Sequence, residues 1–245
     1  MKKLFLAIAF LLLFAGCDNP AECVKHTGYT VTKDIPVTTF DRIIVHRGIA
    51  MVITQDDNYS VSVVTGENLV DDIKATVTNG LLSLSDDTTC NWVRDYGQTI
   101  VYVTTPTLTQ IESKTEQNIS SSSVLTYPSL TLKATDLSGG AGTGDFHIQV
   151  SNNTVEINTN NVAAFYLSGQ TANLVAGFYE GNGILKAQDL LAYSVYVFHR
   201  GSNNLYVHPT QSISGEIYST GNVFCSPHPP EVNVNRHYQG RLIFE

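Results

Sequence analysis

Short apolar cores that repeat with a period of two, each closed off by small polar residues, constrain this chain more than any other feature. They fall at residues 146–148, 155–157, 165–167, 172–175, 184–187, 195–197, 205–207, 213–217 and 223–225. Their starts lie about seven to twelve residues apart, and the gaps are filled by Gly, Asn, Ser, Thr and Gln, as in SNN, TNN, GNG and GSNN. Alternation of apolar and polar residues over a few positions is the pattern of a half-buried strand. Such regular spacing fits either a β-sandwich or a solenoid in which two or three strands complete one coil. Small polar corners favour the solenoid, because stacked coils set like residues above one another and let Asn or Ser side chains hydrogen-bond up the ladder.

Residues 34–105 read as an antiparallel β unit preceding that body. Ile43 and Val45, Met51 and Ile53, Val61 and Val63, Leu82 and Leu84 all recur at period two. Asn79-Gly80 is a strong hairpin signal, since both positions tolerate positive φ. Helical spacing occurs only in GENLVDDIKA (residues 66–75), where Leu69, Val70 and Ile73 would give two or three turns. The expectation is therefore an all-β chain with at most one short helix. Its β-solenoid, or β-helix-like, region spans residues 106–245 and is continuous with the unit before it.

The amino terminus reads as an address. Lys2 and Lys3 precede an apolar run over residues 4–14, followed by Ala15, Gly16 and Cys17. A helix of eleven residues reaches about 16 Å, roughly half the hydrocarbon thickness of a bilayer, so the run is a signal peptide rather than a span. Small residues ahead of Cys17 resemble the bacterial lipoprotein cleavage box, in which that cysteine is lipidated and becomes the mature first residue; Phe14 stands where Leu is usual. The expected division is thus a signal peptide over 1–16 and a lipidated cysteine with its tether over 17–33. Export places Cys23, Cys90 and Cys225 in an oxidising compartment, and three cysteines leave at least one unpaired. None of them has a ligand spacing suited to zinc.

Charge excludes some functions. The chain carries 14 basic and 22 acidic residues, with a formal net charge of −8. Two of the basic residues sit in the leader, and no basic patch suited to nucleic acid is present. The seven histidines form no His-x-His or HExxH pair. Doublets at Asp56-Asp57, Asp71-Asp72 and Asp86-Asp87 point to opposite faces of a strand and mark turns rather than shared calcium ligands. A solenoid enzyme acting on polysaccharide needs two carboxylates facing one another across a sugar. Beyond Pro106 the acidic residues are dispersed and contain no Asp-x-Asp. No Gly-x-Ser-x-Gly elbow is present either.

The sharpest local signature is CNWVRDY at residues 90–96, set between FDRIIVHRGIAMVITQ with TGENLVDDIKATVTNGLLSLS and, on its far side, TIVYVTTPTLTQI. In this order the segments resemble the head GIN domain family, the putative auto-transporter adhesins of the cell envelope. The resemblance runs from about Cys23 to Phe244. It implies a β-solenoid-like body after an N-terminal β unit, a secreted or lipoprotein context and no established enzymatic activity. It also implies pairing of the cysteine after the tether with the one in CNWVR, here Cys23 with Cys90, leaving Cys225 reduced.

The surface feature that most suggests binding is aromatic. Tyr166, Tyr196, Tyr206 and Tyr218 alternate with apolar residues that should face the core, so their rings should point outward. Such rings either anchor a sugar or a partner protein, or stack on one another along the outside of the coil. The reading is a lipid-anchored envelope protein of the outer membrane, facing the periplasm or the cell surface, that binds through a rigid β surface as an adhesin. Its expected partners are the membrane, through its lipid, and a glycan or an envelope protein; no metal, cofactor or catalytic residue is implied. The alternatives are a structural or assembly component of the envelope and a polysaccharide-active solenoid enzyme.

Overall fold

The computed structural model describes residues 25–88, 97–136, 140 and 142–245. Cys17, Cys23 and Cys90, and with them the expected lipidation and disulfide, lie outside the described residues, as does the whole CNWVRDY signature. Among the described residues there are strands and turns but no helix.

The amino-terminal part contains β1 (Thr30–Ile35), β2 (Arg42–His46), β3 (Ile49–Gln55), β4 (Ser60–Gly66), β5 (Ile73–Thr78), β6 (Leu81–Asp86) and β7 (Thr99–Thr105). Strands β1, β4 and β7 pair antiparallel, and β5 and β6 form a hairpin. At that hairpin Asn79 and Gly80 have φ of 51° and 76°, which is the backbone the dipeptide favours. The segment with helical spacing is instead a pair of tight turns, with Leu69 and Val70 N–H donating to the Gly66 carbonyl and Asp72 N–H to Leu69. Ile73 and the residues after it are recruited into β5 against β6, leaving too few residues to offset helix nucleation.

The body continues with β8 (Gln110–Lys114), β9 (Ile119–Ser121), β10 (Ser129–Ala134), β11 (Phe146–Thr159), β12 (Ala164–Phe178), β13 (Ile184–His199), β14 (Leu205–Ile217), β15 (Val223–Cys225), β16 (Glu231–Arg236) and β17 (Leu242–Phe244). All of these pair in parallel. Each strand from β11 to β14 is two of the apolar cores joined round a corner, with the chain staying paired through the bend at Asn152↔Thr171. The result is two parallel stacks. One runs β3, β9, the first halves of β11 to β14, β15 and β17. The other runs β2, β8, β10, the second halves of β11 to β14, and β16. The solenoid makes about six turns after the antiparallel unit, and β2 and β3 carry its stacking into that unit.

Between the stacks the inward positions form apolar columns. One passes Ile111, Leu132, Ile157, Ala176 and Val197, all at 0% exposure. Phe146 and Phe165 stack at 4.8 Å within another. In the Val197 column the next rung has Gly215, whose φ is 132° and where a Cβ would lie 1.9 Å from the Val197 carbonyl oxygen, so only glycine fits. The turns between rungs are tied by the amide ladder that small polar corners permit. Asn203 Nδ2 donates to the Asn182 carbonyl at 2.6 Å, Asn222 N–H to Asn204 Oδ1 at 3.0 Å, and Arg241 N–H to Asn222 Oδ1 at 2.9 Å.

Candidate functional site

The parallel register sorts the four outward tyrosines onto three different parts of the surface. On the first stack a single outer column passes His147, Tyr166, Lys186, Tyr206 and Phe224. Tyr166 lies flat on His147, with ring centres 4.6 Å apart. Tyr206 is a filling between two neighbours, with the Lys186 ammonium 3.5 Å above its ring and Phe224 stacked beneath it at 4.9 Å. Tyr218 belongs to the turn after β14, where His237 stacks on it at 4.1 Å and Phe198 approaches at 5.3 Å. Tyr196 stands on the second stack, in register with Val175 and Ser214, and is 42% exposed.

This stacking has a chemical consequence. Aromatic side chains recognise sugars and apolar groups chiefly through their faces. Where a rung repeat of about 4.8 Å brings rings face to face, those faces are turned toward each other and solvent meets edges and hydroxyls. Tyr206 is therefore a ladder element. Tyr196 keeps an open ring, since no other ring stacks on it among the described residues.

Two exposed side chains escaped the alternation rule. Leu191 and Tyr193, 47% and 59% exposed, project from the corner of β13 while Ala192 between them is buried. Counting outward from Val195 and Val197 would put Tyr193 in the core; the phase slips at Ser194, where the strand turns from one stack to the other. The visible signal is the length of β13, the longest strand of the body.

The charged groups of the turns act locally. Glu216 accepts from His237 at 2.5 Å and from Asn235 Nδ2 at 2.9 Å, and those two hydrogen bonds hold its carboxyl below the usual carboxylate range. Among the described residues no three His, Cys, Asp or Glu side chains come together as a metal site, and no helix is long and apolar enough to cross a membrane. Cys225, at 0% exposure, faces the core from β15, and burial pushes its thiol up to about 11.

Comparison with known proteins fits this architecture. A putative adhesin of Bacteroides fragilis superposes with a TM-score of 0.80 at 20% identity, over 90% of this chain and 99% of that one. A putative adhesin of Parabacteroides merdae gives 0.66 at 16% identity, over 91% and 100%. A protein of Parabacteroides distasonis described as a putative lipid binding protein gives 0.64 at 14%, over 89% and 98%. At these identities the likeness is one of fold. No curated protein matches the chain. The family described as "Putative auto-transporter adhesin, head GIN domain" matches residues 39–229, and the chain belongs to it.

Proposed function

We propose that the protein is a lipid-anchored component of the cell envelope that presents the outer faces of its solenoid for binding, with adhesion as its role. The observation that carries this reading is the preformed outer face of the body. Its strands are hydrogen-bonded on both sides from β11 to β14, so exposed side chains such as Tyr166 and Tyr196 are held without loops that would have to order on binding. Membership of an adhesin family supports the same role. The basic n-region, the apolar run over residues 4–14 and Cys17 support the anchor: several acyl chains on one cysteine hold a protein to a membrane far more firmly than a single chain does. The reading assigns no catalytic step.

Two measurements test it. Wild-type protein should partition into the detergent phase and Cys17→Ala should not; mature protein with an unmodified Cys17 would remove the anchor. A strain lacking the protein should adhere less to a glycan-coated or cell surface than its parent. Unchanged adherence together with a leaky envelope would favour the structural alternative.

A further inference from the structure

β13 is longer than its neighbours because it departs from their register. Tyr166 pairs with Lys186, but two residues later Ser168 pairs with Asp189, so β13 has taken in one extra residue. Against β14 the mismatch is greater: Ala187 pairs with Val207, and the next pair is Leu191 with His208. Bulges of this kind bend a strand and re-aim its side chains. Here the surplus chain carries Gln188 and Asp189 outward, and Leu191 and Tyr193 follow them at the corner to complete a ridge.

On the β11–β12 side of that ridge lie two adjoining depressions of about 310 and 440 Å³. The first is bounded by His147, Tyr166, Gln149 and Asp189, the second by Asn153, Gln170, Leu191 and Tyr193. Their floors meet along β11 and β12, because residues 147, 149 and 151 and residues 166, 168 and 170 are successive outward positions paired in register. Together they make one trough along the strand direction. From His147 to Asn153 it follows β11 for six residues, about 20 Å of chain at 3.3 Å per residue, and turns with the corner at residues 151–153.

The outward polar groups of the trough differ from those of the turns, although Ser121, Asn152 and Thr171 at its edges are engaged within the molecule. At the turns, Asn182, Asn203, Asn204 and Asn222 are spent on holding one rung to the next. In the trough, the side chains of Gln149, Asn153, Ser168 and Gln188 and the Tyr193 hydroxyl have no intramolecular partner among the described residues. Gln170 donates Nε2 to Ser151 at 3.0 Å and keeps its carbonyl oxygen for another donor. Unlike Tyr206, Tyr193 has no ring stacked on it among the described residues. The charge is nearly balanced, since the only carboxylate is Asp189 and the Lys186 ammonium rests on Tyr206.

We infer that this trough is the binding site for a neutral oligosaccharide. The inference rests on the surface-binding role proposed above and names its ligand class. Amides and hydroxyls offer the paired donors and acceptors that sugar hydroxyls require. The open face of Tyr193, with Leu191 beside it, offers the apolar patch against which a pyranose ring packs. The length suits several sugar units that follow the bend. An acyl chain would need apolar walls, and an acidic glycan a cationic lining; the trough has neither.

The full-length protein in detergent micelles is to be titrated with maltohexaose, cellohexaose, mannohexaose and chitohexaose, and with an oligogalacturonate as the anionic comparison. At least one neutral hexamer should bind. Tyr193→Ala should weaken that binding about tenfold or more, and Gln170→Ala by a smaller factor, with unchanged melting temperatures. Tyr102→Ala, 43% exposed on β7 and outside the trough, should bind as wild type. Binding that survives Tyr193→Ala and Gln170→Ala in folded protein overturns the inference, as does preference for the anionic oligomer. If no hexamer binds while the deletion strain still loses adherence, the trough assignment fails and the adhesive role stands; if adherence is also unaffected, both fail.

Discussion

His199 of β13 lies one rung above Phe178 of β12, edge to face at 6.2 Å, and neither of its ring nitrogens has a hydrogen-bond partner. The position is at 0% exposure in the column that continues to Ile217, and Gly221 packs against the ring. Burial lowers the imidazole pKa from 6.5 to about 4.

From this follows an acid sensitivity with a definite sign. A histidine whose folded pKa is depressed stays neutral in the native state, while the unfolded chain takes up a proton below 6.5. Its stability is therefore intact above pH 6.5 and is lost as pH falls toward 4, by up to about 3 kcal/mol. His199→Leu should remove that slope and raise stability at neutral pH by about 1–3 kcal/mol, because two unpaired buried nitrogens disappear. Thermal melts of both proteins between pH 7 and pH 4.5 check it; parallel curves would show that His199 is not the sensor.

Gly215 should be irreplaceable for a different reason. Alanine there meets the Val197 carbonyl at 1.9 Å on a backbone with φ of 132°. Gly169 is in the same position against Val150, at 2.0 Å and 103°. Either substitution should cost about 2 kcal/mol or more and lower the melting temperature by roughly 4–8 °C. A melt within a degree of wild type would mean that the strands part at little cost.

The sequence made much of this frame legible. Period-two cores such as Val155 with Ile157 and Val195 with Val197 face inward as their alternation requires, and the Asn79-Gly80 hairpin forms where its φ preferences put it. What it concealed was the corner. Ser151 to Asn153 read as loop punctuation, yet they carry the strand round a bend while Ser151 and Asn152 still pair with the rung above. Alternation cannot be counted through such a bend, which is why Tyr193 escaped notice. Nor does a single rung reveal what stacks on it: the Tyr206 sandwich depends on Lys186, twenty residues earlier, and Phe224, eighteen residues later.

The cysteines give a chemical test. With its pKa raised to about 11 and its side chain at 0% exposure, Cys225 should resist maleimide at about pH 8 in the native protein and react on unfolding. The resemblance that pairs Cys23 with Cys90 leaves Cys225 as the thiol recovered by non-reducing peptide mapping. A disulfide containing Cys225 would refute both expectations.

Tyr206 and Tyr196 should separate structure from binding. Both rings look outward, yet Tyr206 holds an ammonium at 3.5 Å on one face and Phe224 at 4.9 Å on the other, while Tyr196 has only Val175 and Ser214 beside it in register. A cation over an exposed ring contributes about 0.5–1 kcal/mol and an aromatic pair a similar amount. Tyr206→Ala should therefore destabilise by about 1–2 kcal/mol, whereas Tyr196→Ala should stay within about 0.5 kcal/mol of wild type. A double-mutant cycle of Lys186→Met with Tyr206→Leu should show coupling of about 0.5–1 kcal/mol, because each change removes the same contact. Zero coupling with an unchanged melt for Tyr206→Ala would mean that the sandwich adds nothing to folding. The ring would then be free, as Tyr196 is, to serve as a binding anchor on the outer face.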